Sequence, residues 1–462
     1  MIKEIQQSEY LLNSVSTDFG KIFNSTPIAC AIPKNKIELC EIVKECNLTN
    51  TPIIPRGMSH SASGQCLVNN GVVIDMKHMD AIHEIEFNGD RGYVKVSAGI
   101  TWERLVKECL KHNAAPRVLT DWQKLTVGGT LSTGGLGFMS HLYGIQANMV
   151  MELEVITGNG ELIICSPNEN KDLFDLVRGG LGQYGIIVTA TIIIHKAPKL
   201  MHTYKLLIQD SSEFHNIIKS IWGSSKFQCI HSFLIPNETK EFEKKFGEKD
   251  YKSLKEKFSK LDSSKFSYYL EVVQYEFENE NFKLESFIDN EFKCYEVTDF
   301  FEYITKDPPL ISTQKEKGTT AHPELALFIP KNKFKKFISE FMADHKSKDM
   351  GEGPVLIMPI SSKYLGDSSF VGLKEDFYFI GILRNAFPNT TDHINHLTNL
   401  NEHMYHKALE MGAKRYPCDS LAFPKTQEDW SLHFGDKWNF IKDGKQKFDS
   451  NKILRSLLTI HN

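Results

Sequence analysis

Up to residue 198 the apolar positions alternate between two periods. Residues 36–46 (KIELCEIVKEC) space them three and four apart, which predicts an amphipathic helix, and residues 51–55 (TPIIP) follow as a short buried strand. Residues 71–76 (GVVIDM) and 93–99 (YVKVSAG) read as two further strands, and Thr101 is placed to cap a helix over 102–112 (WERLVKECLKH). Residues 151–165 (MELEVITGNGELIIC) predict a hairpin turning at Gly-Asn-Gly, and residues 186–196 (IIVTATIIIHK) a long buried strand. After Pro198 the character changes: residues 240–265 mix charge with phenylalanine and read as a solvated amphipathic helix. Strands recur at 268–277, 324–330, 354–360 and 376–383, which suits a second domain with its own antiparallel sheet. The fold class is therefore α+β.

Three glycine-rich segments bear on chemistry. Gly180, Gly182 and Gly185 match the spacing of a dinucleotide fingerprint, but that fingerprint must follow a strand and open a helix. Here the order is reversed, so a Rossmann site is rejected in favour of a helix-to-strand turn. Residues 56–65 (RGMSHSASGQ) follow a strand with small side chains, so successive backbone N–H groups can approach an anion closely. Residues 126–137 (TVGGTLSTGGLG) offer the same chemistry, and the two read as a pair of loops holding a pyrophosphate without a helix dipole. Two ordinary surface loops are the alternative on composition alone.

The chain has 462 residues, which suggests two or three domains and a core needing no covalent staples. Lys plus Arg is 54 against 58 Asp plus Glu, a net charge of −4, so no basic footprint marks nucleic acid as a partner. No apolar run is long enough for a membrane helix. The cysteines are an odd nine, scattered singly without a CxxC, so neither a disulfide framework nor a zinc ribbon is indicated. The N-terminus lacks a basic-then-apolar signal pattern, and a cytoplasmic location is expected. His393, His396, His403 and His406 fall on one broad helix face; with no carboxylate or cysteine specified beside them they read as a polar face, and no metal is expected.

The motifs together resemble the cytokinin dehydrogenases of the vanillyl-alcohol-oxidase-type flavoproteins. RGMSHSASGQ is similar to that family's Arg-Gly-x-Gly-His-Ser-x-x-Gly-Gln loop, and residues 116–135 to its Thr-Asp-Tyr-Leu-x-Leu-Thr-Val-Gly-Gly-Thr-Leu-Ser block. Residues 172–192, 322–330, 353–360, 430–440 and 447–454 resemble further blocks in the same order. The resemblance implies a two-domain PCMH-type fold, with an FAD-binding domain from 1–198 and 416–462 and a substrate-binding cap from 199–415. It implies His60 as the covalent FAD attachment, with Gly57, Met58, Ser59, Ser61, Gln65, Thr126, Ser132, Leu136 and Ile187 lining the cofactor. Asp121 would lie beside the flavin as the base that takes a proton from a secondary amine while hydride leaves the adjacent carbon. An Asx turn after Thr120 is the structural alternative for that residue.

Cleavage of N6-isopentenyladenine-type cytokinins to adenine and an aldehyde is the implied activity, with oxygen or a quinone as electron acceptor and a monomer as the expected state. Glu324 and Ala326 stand where the family has tryptophan and asparagine, at positions expected to face the substrate, so substrate identity is less fixed than flavin chemistry. An FAD-linked oxidase of an alcohol (sugar, lactone or aryl carbinol) and a flavin- or purine-binding protein without turnover are the alternatives.

Overall fold

The computed structural model of the chain describes residues 5–307, 320–351, 353–420, 424–458 and 460–461. The extreme N-terminus and parts of the closing LLTIHN lie outside the described residues.

Three sheets carry the fold. Strands β1 (Ile5–Gln6), β2 (Ala29–Ala31), β3 (Ile53–Arg56) and β4 (Val72–Asp75) form the first, in the order β1-β2-β4-β3, with β2 and β3 both parallel to β4. The helix Lys36–Leu48 supplies the crossover; Asn35 caps it by accepting from the N–H groups of Ile37 and Glu38, both at 3.0 Å. The second sheet contains β5 (Ile82–Asn88), β6 (Arg91–Ser97), β7 (Ala114–Ala115), β8 (Val150–Thr157), β9 (Leu162–Cys165) and β10 (Gly185–Lys196). Its path is β5-β6-β10-β8-β9, and β7 joins the far end of β10. β10 is central and its first six residues are all buried, hence the apolar triplets 186–188 and 192–194, whereas edge strand β5 leaves His83, Glu84, Glu86 and Asn88 exposed.

The third sheet is wholly antiparallel: β11 (Leu200–Ile208), β12 (Cys229–Pro236), β13 (Phe266–Glu276), β14 (Cys294–Asp299), β15 (Leu325–Pro330), β16 (Val355–Ile360), β17 (Phe377–Ile382) and β18 (Lys414–Arg415). The strands run in the order β14-β11-β13-β12-β16-β17-β15-β18. Successive side chains point to opposite faces, and here the two faces feed two cores. Leu325, Leu327 and Ile329, with Ile357, Ile380 and Leu270, pack under the helices Ser211–Ile221, Phe334–Asp344 and Thr391–Glu410. Their neighbours Ala326, Phe328, Leu356, Met358, Phe379, Phe233 and Tyr269 turn the other way, into a core shared with the second sheet. The parity rule therefore sends His231 and Glu271, which face each other across β12 and β13, toward the second sheet as well.

Two sequence expectations are corrected. Residues 126–137 are not a simple loop: Val127–Thr133 is a short helix following an extended Thr126. Gly128 allows that helix to pack so closely on the chain that a Cβ there would stand 2.7 Å from the Ala98 Cβ, and burial offsets the poor helix propensity of glycine. The charged helix, Thr239–Phe258, is less solvated than its composition suggests. Phe242, Lys245, Phe246, Tyr251 and Phe258 are buried, and the helix is broken at Gly247, whose φ of +77° favours glycine.

After β18 the chain returns to its beginning. The helices Gln427–Phe434 and Trp438–Phe448 lead to Leu454, which bridges Ile53 of β3 in parallel.

Candidate active site

The parallel strand β3 ends where residues 56–65 begin, so this segment leaves the sheet at a strand C-terminus. Arg56 anchors the exit by donating to the Thr17 carbonyl at 2.9 Å. Asp18 fixes the far end, its carboxylate accepting from Gly64 N–H at 2.8 Å and Gly20 N–H at 3.1 Å. Burial pushes the Asp18 carboxyl up to about 6, against the pull of those N–H groups and Arg56. Ser59 takes a left-handed φ of +54°, bending the backbone at the middle of the segment. A Cβ at Gly57 would come 2.2 Å from the Thr126 Oγ1, so glycine alone allows the two segments to touch.

These contacts leave a cradle. The backbone N–H groups of residues 58–61 donate no hydrogen bond among the described residues, although their segment lines a cavity. His60 Nδ1 is buried and unpartnered there, and burial with a neighbouring His322 drives the imidazole down to about 3, so the ring is neutral. Phe19 contacts both histidines, 4.1 Å from His60 and stacked on His322 at 4.3 Å, and Trp122 stands 4.7 Å from His60. A neutral, orphaned nitrogen held between rings and a run of free N–H groups fit a flavin and its pyrophosphate.

The same cavity gathers the other residues singled out in the sequence. Gly57, Met58, Ser59, His60, Ser61 and Gln65 line it from the first segment, and Thr126, Ser132 and Leu136 from the second. Ile187 enters from β10, Asp121 from the turn between the two segments, Glu324 from the residue just before β15, and Ala326 from β15 itself. Several of its walls lie outside the site residues that the motifs mark. Leu181 and Gly182 of the reversed fingerprint lie there, with positive φ values of 55° and 71°, as does Tyr416. The glycine spacing was the signal for the first two; for Tyr416 the sequence carries none.

Glu324 is buried and its Oε1 has no hydrogen-bond partner. Burial raises its carboxyl to about 8, with the charges of Asp419 and Asp18 adding to the effect, so it carries a proton at neutral pH. A carboxyl whose folded value lies above its unfolded one stabilises the fold fully below the unfolded value, about 4.5, and that contribution is lost as pH rises toward 8. The unfolding midpoint is therefore expected to fall between pH 5 and 8 by more in the native protein than in Glu324→Gln. Parallel slopes in the two proteins would refute this assignment.

Asp121 belongs to a turn held by Gln123, whose amide donates to the Thr120 carbonyl and whose own carbonyl accepts from Glu103 N–H at 2.8 Å. Its carboxyl is half-buried and opens into the cavity. Burial pushes its pKa up; His231 and Lys245 pull it down, and Glu271 adds to the rise. Asp121 also borders a second cavity of about 650 Å³, walled by Phe138, His231, Phe233, Lys245, Glu271 and Tyr303. That volume suits a small molecule. Burial opposes ionisation of Glu271, but hydrogen bonds from His231 and Tyr269 hold its carboxyl well below the usual carboxylate range.

The histidine face of the helix Thr391–Glu410 is divided among separate partners: His396 meets Asp349 at 3.1 Å and His403 meets Asp344 at 3.4 Å. No cluster of three or more ligand-type side chains occurs among the described residues, and no helix among them is long and apolar enough to cross a membrane.

Two family profiles divide the chain. Residues 27–166 match the FAD binding domain, and residues 198–460 match the FAD- and cytokinin-binding region typified by cytokinin dehydrogenase 1. Cytokinin dehydrogenase 1 of Arabidopsis thaliana is 31% identical over 96% of this chain and 80% of its own length. Cytokinin dehydrogenase 3 of Oryza sativa subsp. japonica is 29% identical, covering 96% of this chain and 88% of that protein. An oxidoreductase, ORF5 of the fasciation locus of Rhodococcoides fascians, is also 29% identical, covering 96% and 95%.

Proposed function

The chain belongs to the cytokinin dehydrogenase family of FAD-dependent oxidoreductases, and from that premise we propose that it cleaves the N6 side chain of N6-isopentenyladenine-type amines, giving adenine and an aldehyde. The position of Asp121 carries the reading: its desolvated carboxyl lies on the wall between the cradle cavity and the second cavity. FAD, when bound, supplies the hydride acceptor. The Asp121 carboxylate accepts a hydrogen bond from the substrate N–H and takes that proton, so that nitrogen lone-pair density assists departure of hydride from the adjacent carbon. Water then adds across the oxidised C=N bond of the substrate, releasing aldehyde and free amine.

The free N–H groups of residues 58–61 would hold the pyrophosphate, and Gly57 and Thr126 keep the two segments in contact. His60, neutral and unpartnered at Nδ1, would be the covalent attachment residue. Residues 1–198 and 416–462 form the cofactor-binding part and residues 199–415 the cap; the bridge between Ile53 and Leu454 supports that division.

Anaerobic addition of isopentenyladenine to the purified protein is expected to bleach the flavin band. A yellow protein that ignores this amine would refute the substrate assignment and direct the search to alcohols. Acid precipitation reads the attachment separately: colour should stay in the pellet of the native protein and move to the supernatant in His60→Ala. Flavin released from the native protein would exclude a covalent bond.

A further inference from the structure

Lys245 has no role in the reaction described above, yet it is 8% exposed and lines the second cavity. Its place is fixed from two sides. Its backbone carbonyl accepts from the Tyr269 hydroxyl at 2.9 Å, and its ammonium nitrogen stands 3.0 Å from the ring centroid of Phe233. No carboxylate lies within ion-pair distance of that nitrogen among the described residues. Three of the five acids around the cavity are engaged elsewhere: Glu296 pairs with Lys205 at 2.7 Å, Asp307 with Lys124 at 3.5 Å, and Glu271 is held by Tyr269, Tyr303 and His231; Asp121 and Glu302 line it beyond ion-pair distance of that nitrogen.

A buried lysine without an ion pair is the usual setting for carbonyl chemistry, because desolvation favours the neutral, nucleophilic amine. Burial pushes the Lys245 amine down to about 7, against the pull of Glu271, Glu241 and Asp121. A proton carrier is at hand. His231 Nδ1 lies 3.4 Å from Glu271, which orients the ring, and its Nε2 is buried with no partner.

We propose that Lys245 is a covalent binding site for aldehydes, forming a reversible imine with a carbonyl compound in the second cavity. The amine lone pair adds to the carbonyl carbon, the C=O π electrons pass to oxygen, and His231 relays the proton from nitrogen to oxygen. Loss of water from the resulting carbinolamine forms C=N, and addition of water reverses the step. No oxidant or reductant is consumed. That the aldehyde arises as a reaction product rests on the proposed function; the carbonyl reactivity of Lys245 does not.

The test supplies the aldehyde directly. The holoenzyme is incubated with 3-methyl-2-butenal and sodium cyanoborohydride at pH 7, and modified lysines are mapped by peptide mass spectrometry. A pKa near 7 gives Lys245 a roughly 1,000-fold larger neutral fraction at this pH than an ordinary lysine. Label is therefore expected at Lys245 while the exposed Lys252 and Lys260 remain almost free of it. Lys245→Arg keeps the cation and should lose the label. Equal labelling of Lys245 and the exposed lysines would overturn the proposal. So would an unlabelled Lys245 whose cavity instead binds inorganic phosphate in a titration lost in Lys245→Met, since the ammonium would then be an anion site. Flavin bleaching by isopentenyladenine in the same sample reports independently on the oxidation, so either idea can fail alone.

Discussion

Replacing Asp121 by Asn is expected to lower kcat/KM for isopentenyladenine by ~100- to 10,000-fold, the range that a positioned general base contributes. Asparagine fills the same space, so the turn held by Gln123 and Thr120 should persist, with flavin content and unfolding midpoint unchanged. The pH profile gives the sharper reading. Burial raises the Asp121 carboxyl, so its base form should be lost at a higher pH than for an ordinary aspartate, moving the acid limb of kcat/KM upward. Asp121→Asn should flatten that limb as well as lower the plateau. A variant that keeps the native limb would show that another group supplies the base, and unchanged kcat/KM would remove Asp121 from the chemistry.

The largest effect on stability is expected at Asp449, far from any substrate. Its carboxylate is fully buried and meets the Lys445 ammonium at 2.7 Å. It also accepts from the backbone N–H groups of Ile453 and Leu454, both at 2.9 Å. Lys445 in turn donates to the carbonyls of Gln183 at 2.8 Å and Leu454 at 2.7 Å. One ion pair thus ties the returning C-terminal segment to the turn that leads into β10. Burial pushes the Lys445 ammonium down to about 8 even with Asp449 beside it, so the cost of leaving water is large. Asp449→Ala leaves that ammonium uncompensated and two N–H groups unpaired, at a cost of about 3–5 kcal/mol. Asp449→Asn, which retains an acceptor, should lose less. Urea unfolding followed by flavin fluorescence checks both, and an Asp449→Ala protein with the native midpoint would refute the clamp.

How far the site was legible in the sequence depends on the distance over which each residue acts. Residues 56–65 announced themselves because a strand followed by Gly, Ser and His is a local pattern, and β3 does deliver them to the cavity. The segment after Thr126 reads as a loop for an equally local reason. Its glycines argue against a helix in isolation, and only the close packing on Ala98 reveals why a helix forms there. Lys245 was hidden inside a charge-rich run. Nothing in KEFEKKFGEKD distinguishes the buried lysine from exposed neighbours, because burial follows from where β12 and β13 lie beneath the helix.

Most strands and helices and the glycine-bearing turns are legible in the chain alone, since periodicity and backbone freedom are properties of short segments, whereas the pairing of residues 56–65 with Asp121 rests on the resemblance of whole motifs. The tertiary structure alone decided which faces of the third sheet meet the second, and hence that His231, Glu271 and Lys245 share a cavity with Asp121. It also decided the protonation of Glu324, His60 and Lys445, because desolvation depends on what surrounds a group in space rather than on what precedes it in the chain.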